Sequence, residues 1–195
     1  QDSLMAFNGS TYDQYVAPLT RKFVQHLLST YDDHHNEDED IILDVGCGTG
    51  CAIPFCGEHH YTGVDNDPLM VDLVAKRNKK AFHHDASCLP PEWGNKFTIT
   101  MSNFGVIFAS DFAASISEMV RCTRAGGRIA ISCWAEPTET RVFHLFGNAL
   151  EACTGSRPEK GRVSVDVVED TLKKALNGES VEPVFLSGTV RARPM

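Results

Sequence analysis

Apolar and polar positions along the chain change period several times, and each change marks an element. Ile41-Ile42-Leu43-Asp44-Val45 has four apolar residues in five, three of them β-branched, as in a strand covered on both faces of a parallel sheet. Tyr61–Asp65, Lys80–His84, the alternating Lys96–Met101 and Arg128–Trp134 read as four further strands. Helical spacing fills the intervals. Leu19, Phe23, Val24, Leu27 and Leu28 make one face of a helix opening at Ala17-Pro18-Leu19. Leu69, Met70, Leu73 and Val74 do the same behind an Asp67-Pro68 cap, and Ile116, Met119 and Val120 behind Ser110 or Asp111. The latter helix is expected to stop at Arg124-Ala125-Gly126-Gly127. Residues 138–152 and 165–177 read as two more helices, and Val181–Phe185 as a last strand. Strands alternating with helices predict an α/β fold, a doubly wound and mostly parallel sheet with helices on both faces.

The first strand ends in Gly46-Cys47-Gly48-Thr49-Gly50. Glycine lets the backbone turn with positive φ and lets a ligand approach with no Cβ in the way. Such a loop places a small molecule at the carboxyl edge of the sheet. The spacing is Gly-x-Gly-x-Gly, not the Gly-x-Gly-x-x-Gly of dinucleotide binders, and Asp44 precedes it by two residues. That anion would repel a pyrophosphate and attract an ammonium. Asp65 follows Gly46 by nineteen residues, the spacing at which an acid reaches a ribose, with Asn66 beside it.

Composition narrows the function. The 195 residues suit one domain, here divided into 1–31 (amino-terminal lid and helix), 41–134 (ligand-binding core) and 135–195 (cap helices and terminal strand). A net charge of −8 argues against a nucleic-acid or membrane-surface partner, and no apolar run is long enough to span a membrane. Seven cysteines without a Cys-x-x-Cys, and no signal-peptide pattern, predict reduced thiols and a cytoplasmic protein. Cys47, Cys51, Cys56, His59 and His60 lack the spacing of a zinc site, so no metal is expected.

Asp44-x-Gly46-x-Gly48-x-Gly50, the acid Asp65 and the pair Asp85-Ala86 together resemble class I S-adenosylmethionine (SAM)-dependent methyltransferases. The run from Asp85 to Trp134, with Glu118–Arg121 and Gly126-Gly127-Arg128, resembles the branch of ubiquinone and menaquinone biosynthesis. The resemblance implies a Rossmann-like fold, SAM as cofactor, S-adenosylhomocysteine as product and a small-molecule acceptor. It implies that Asp44 with the backbone of Gly46, Cys47 and Gly48 faces the methionyl ammonium and chain. Asp65 and Asn66 would take the ribose, and Asp85 and Ala86 the adenine. Ser102 and Phe104 would line the side where the methyl leaves, and an amino-terminal segment carrying Tyr12 and Tyr15 would fold over the cofactor. Asn103-Phe104 lacks the prolines of the Asn-Pro-Pro-aromatic motif, which weakens the branch that methylates nucleic-acid bases or glutamine.

The resemblance thins after Trp134, where a complete fold would carry more strands and a larger cap. The remainder is either an atypical, shortened tail, or a sheet edge that a second copy covers as a homodimer. Methyl transfer from SAM is a direct displacement and requires no nucleophilic side chain. The catalytic residues are therefore unassigned, with His84 and His144 as candidate bases. Two other classes stay open: a methyltransferase-like binding or regulatory subunit without turnover, and an NAD(P)-dependent oxidoreductase.

Overall fold

The computed structural model describes residues 12–14, 16–29, 40–56, 60–134 and 163–176. The chain separates into two compact units, residues 1–133 and 134–195. In the first, the described elements run α1 (Ala17–Ser29), β1 (Ile42–Val45), β2 (Tyr61–Asp65), α2 (Pro68–Ala75), β3 (Lys80–His83), β4 (Phe97–Asn103), α3 (Phe112–Cys122) and β5 (Thr123–Ser132). The strands form one parallel sheet in the order β3-β2-β1-β4-β5. The chain thus walks outward from β1 in one direction and returns to build β4 and β5 on its other side. Strand order reverses between β1 and β4, and at such a switch point the loops leaving the strands diverge to form a crevice.

Burial follows the sequence pattern where the sheet is central. Every residue of β1 and β4 is buried, and Ile42, Leu43, Val45, Phe97 and Met101 lie at the centre of the core. Edge strand β3 is largely exposed, although Phe82 packs edge-on against Trp93 at 5.3 Å. Helix α1 packs on β4 and β5, α2 on β2 and β3, and α3 on β4 and β5. Asp67 caps α2 by accepting from the Leu69 N–H, and Asp111 caps α3 through the Ala114 N–H.

Two expectations are corrected. Leu69 is 62% exposed, because the two-turn α2 buries only Val74. Helix α3 ends at Cys122 rather than at the glycine pair. The Thr123 hydroxyl sits 2.7 Å from the Met119 carbonyl and closes the helix, and β5 starts at once. Residues 124–127 then lie opposite Thr98 alone, between the Phe97–Thr123 and Ile99–Arg128 pairs. Gly126, at φ +73, therefore serves an irregularity in the sheet.

One side-chain clamp holds the segment after β3. Glu118 accepts the Leu89 N–H and bonds Arg121, whose guanidinium reaches the carbonyls of Leu89, Pro90 and Pro91, each at 3.2 Å. The Pro90 and Pro91 carbonyls also accept the Trp93 and Gly94 N–H groups, so the guanidinium reinforces a turn that is already closed locally. Arg121→Ala is expected to cost about 1–2 kcal/mol, reduced by the partial exposure of the pair, in a urea melt.

In the second unit one helix is described, α4 (Val165–Ala175), with Ser164 capping through the Val167 N–H, Asp166 in the first turn and Lys173 and Lys174 in the last. It falls within the predicted 165–177. The helix expected at 138–152 and the strand at Val181–Phe185 lie outside the described residues. No helix among the described residues is long and apolar enough to cross a membrane.

Candidate functional site

Parallel register puts paired residues on the same face of the sheet, so Ile42 and Asp44 of β1 share a face with Tyr61, Gly63 and Asp65 of β2. Asp44 is 2% exposed and accepts a hydrogen bond from the Tyr61 hydroxyl at 2.9 Å. Gly63 pairs with Asp44 and clears the way for that bond. A Cβ there would stand 3.0 Å from the Tyr61 oxygen and 2.9 Å from the Cys47 sulfur.

Burial raises the Asp44 carboxyl to about 7; the Tyr61 bond opposes the shift and the neighbouring Asp65 adds to it. The linkage has a definite sign. A carboxyl whose folded pKa exceeds its unfolded one adds stability at low pH, and that contribution is lost as pH rises through about 7. The unliganded protein is therefore expected to lose stability relative to Asp44→Asn between about pH 4 and 7, at up to ~1.4 kcal/mol per pH unit, and the difference should level off above about 7. Paired denaturant melts would show this, and a constant difference between the two proteins would contradict it.

Asp65, at the end of β2, meets the glycine loop. One carboxylate oxygen accepts the Gly48 N–H at 2.8 Å and the other the Asp67 N–H at 3.0 Å. Gly46, at φ +72, turns the chain, and its own amide and that of Cys47 both bond the Val64 carbonyl. The Cys47 thiol is buried and pushed far up by burial and by Asp44, so it stays protonated. Thr49 is buried in the same loop, and its hydroxyl has no hydrogen-bond partner.

The loop after β4 touches the one after β1. A Cβ on Gly105 would lie 2.7–2.8 Å from Gly46 and Val45 backbone atoms. Ser102 is fully buried; its hydroxyl donates to the Val45 carbonyl and accepts the Val106 N–H. It joins two strand ends. Phe104 is buried at φ +57 with its ring edge-on to Phe23 of α1, 5.0 Å away. Asn103 donates to the Thr20 carbonyl of α1 and accepts from Ser132 of β5.

On the β3 side, Asp85 is exposed. One of its oxygens takes both the amide and the hydroxyl of Ser87, and these bonds lower its pKa. Ala86 follows, half-buried. Asn66 is exposed, and its carbonyl lies 3.1 Å from a His83 ring nitrogen. His84 packs edge-on to Trp93 at 6.1 Å. Tyr15 and His144 lie outside the described residues.

Asp44, Asp65 and Asp85 thus stand at the carboxyl ends of three neighbouring strands. Ser102 and Phe104 belong to the same edge, but their side chains join elements to one another. Three residues of this edge were not expected from the sequence. Tyr61 and Gly63 were detectable as Tyr-x-Gly-x-Asp, which puts phenol, gap and acid on one face, whereas Gly105 carried no local signal. The Tyr12 ring is half-buried, with Cε1 3.9 Å from where a Gly48 Cβ would sit, and among the described residues nothing else beyond the chain neighbours comes within 4 Å of that point. Asp13, next to it, pairs with Arg77 beyond α2.

These residues suit a ligand that carries a cation beside a nucleoside. Among the described residues, Asp44 is a buried carboxyl with no cation among its electrostatic neighbours, the space over Gly48 is open but for one ring edge, and the Thr49 hydroxyl has no partner. Among the described residues no group of three or more His, Cys, Asp or Glu is placed to hold a metal.

Residues 42–127 match the protein family described as "Methyltransferase domain". The chain is 33% identical over 154 residues to malonyl-[acyl-carrier protein] O-methyltransferase of Serratia marcescens, covering 75% of this chain and 56% of the relative. It is 31% identical over 115 residues to tRNA (carboxymethyluridine(34)-5-O)-methyltransferase ALKBH8 of Macaca fascicularis, covering 55% and 17%. It is 28% identical over 144 residues to demethylmenaquinone methyltransferase of Beutenbergia cavernae, covering 68% and 58%. The chain therefore spans little more than half the length of the first and third, and a small part of the second. A SAM-dependent methyltransferase structure from Thermotoga maritima shares the fold, with a TM-score of 0.62 at 17% identity over 85% of this chain and 76% of that one.

Proposed function

We propose that this chain is a class I SAM-dependent methyltransferase and that it methylates a small-molecule acceptor by direct displacement. The observation that carries the reading is Asp44, a buried carboxyl beside the glycine loop that meets no cation among its neighbours. An ammonium completes that site, whereas a diphosphate would be repelled.

Bound SAM supplies an already activated methyl group, so the protein's work is to hold the parts in place. Asp44 and the backbone of Gly46, Cys47 and Gly48 hold the methionyl end. Asp65 keeps the loop in register through the Gly48 amide and takes the ribose hydroxyls, with Asn66 beside it. Asp85 and Ala86 hold the adenine, on a segment steadied by Glu118 and Arg121. Tyr12 covers the loop. Ser102 and Phe104 act through the backbone they fix. No base is assigned. The named relatives are methyltransferases of malonyl-[acyl-carrier protein], of demethylmenaquinone and of a carboxymethyluridine in tRNA, and the acidic balance of this chain favours a small acceptor.

Calorimetry with S-adenosylhomocysteine and with NAD, followed by transfer of labelled methyl from SAM to panels of acids, phenols, amines, carrier protein and tRNA, tests the reading. Micromolar binding of the homocysteine product and turnover on a small acceptor are expected. Binding without turnover on any acceptor would make the chain a binding subunit. Preference for NAD would make it an oxidoreductase.

A further inference from the structure

Resting on the reading of Asp44 as the ammonium site, we propose that Tyr61 is a positioning residue that keeps the Asp44 carboxylate aimed and ionisable, and that cofactor capture expels one proton from Asp44 to solvent. The balance is simple. The neutral acid loses its proton, the carboxylate meets the incoming ammonium, and no bond of the ligand changes.

Geometry carries this. Asp44 has one hydrogen-bond donor, the Tyr61 hydroxyl, which occupies a single carboxylate oxygen and leaves the other to a ligand. Gly63 exists at that register with no side chain to intrude between phenol and acid. The groups that face Asp44 electrostatically are Tyr61 and Asp65 of β2, Cys47 and Cys51 of the loop, and Tyr12 of the amino-terminal segment. On β4 its partner is Met101. None of these is a cation, so nothing here offsets the cost of a buried charge until a ligand brings one. With the acid raised to about 7, roughly half of the unliganded molecules carry the proton at neutrality.

The test is calorimetry of the intact chain with S-adenosylhomocysteine between about pH 6 and 8, in pairs of buffers with different protonation heats. Release of about one proton per ligand is expected at the acid end and almost none at the alkaline end, with affinity about tenfold weaker at the acid end. Asp44→Asn should abolish the proton release and the slope, which also subtracts any titration of the ligand itself. Tyr61→Phe should move the midpoint of the affinity profile upward, with near wild-type affinity regained at high pH. Should that variant not fold, Tyr61→Phe in the Asp44→Asn background keeps the role testable, because with no carboxylate to hold it should change affinity less than about twofold. A flat profile without proton release, or a Tyr61→Phe loss equal at every pH, overturns this inference while leaving the cofactor reading standing. No binding by the wild type at any pH overturns the cofactor reading, and this inference with it.

Discussion

Alanine at position 105 is expected to destabilise the protein by about 2–3 kcal/mol and to weaken S-adenosylhomocysteine binding as well, the net of overpacking after a small gain from a stiffer unfolded chain. Gly105 itself sits at φ −89, a conformation alanine adopts freely, so the expected loss is purely steric. Its Cβ would lie 2.7 Å from the Gly46 oxygen and 2.8 Å from both Gly46 Cα and the Val45 oxygen. All three are backbone atoms at the end of β1 and the start of the glycine loop, and none can rotate aside. Gly46→Ala adds a second penalty. Its Cβ would meet Gly105 Cα at 2.7 Å and its φ is +72, so a further cost of about 1–2 kcal/mol is expected. Urea melts of the two variants give the comparison. Equal stability of Gly105→Ala and wild type would show that the loops are not pressed together.

The other large effect belongs to Asp65. Asp65→Ala should weaken S-adenosylhomocysteine binding by tenfold or more, about 1.5–3 kcal/mol of charge-assisted bonding. The carboxylate organises Gly48 and Asp67 through their amides, and on the proposed reading it also meets the ribose. Asp65→Asn separates shape from charge. An amide must turn its NH2 toward one of the two backbone N–H groups, so it loses one loop contact and the charge together. Calorimetry on both variants should therefore show losses of similar order. Unchanged affinity in the alanine variant would remove Asp65 from the site.

Much of this architecture could be read from the chain because its signals are local. Buried strand β1 shows in a run of four apolar residues in five, β4 in an alternating run rich in β-branched residues, and a glycine loop after a strand shows in five residues. Caps at Asp67 and Asp111 stand next to the helices they start. Features that failed to show depend on register. The bond from Tyr61 to Asp44 needs two strands aligned so that residues seventeen apart in sequence share a face. Contact between Gly46 and Gly105 needs β1 beside β4, which no local pattern specifies. Gly126-Gly127 carried a true turn signal, but the helix had already been closed by the Thr123 hydroxyl, leaving the glycines to the sheet. Ser102 and Phe104 were placed on the correct edge from the strand pattern, while the direction of their side chains came only with the packing of β1 and α1 around them.

The contact between Gly46 and Gly105 has a mechanical consequence. The loops after β1 and β4 approach backbone to backbone there, with no side chain between them to absorb a shift, so neither can move independently at that point. On the proposed reading, a ligand that seats against the first loop also fixes the position of the second.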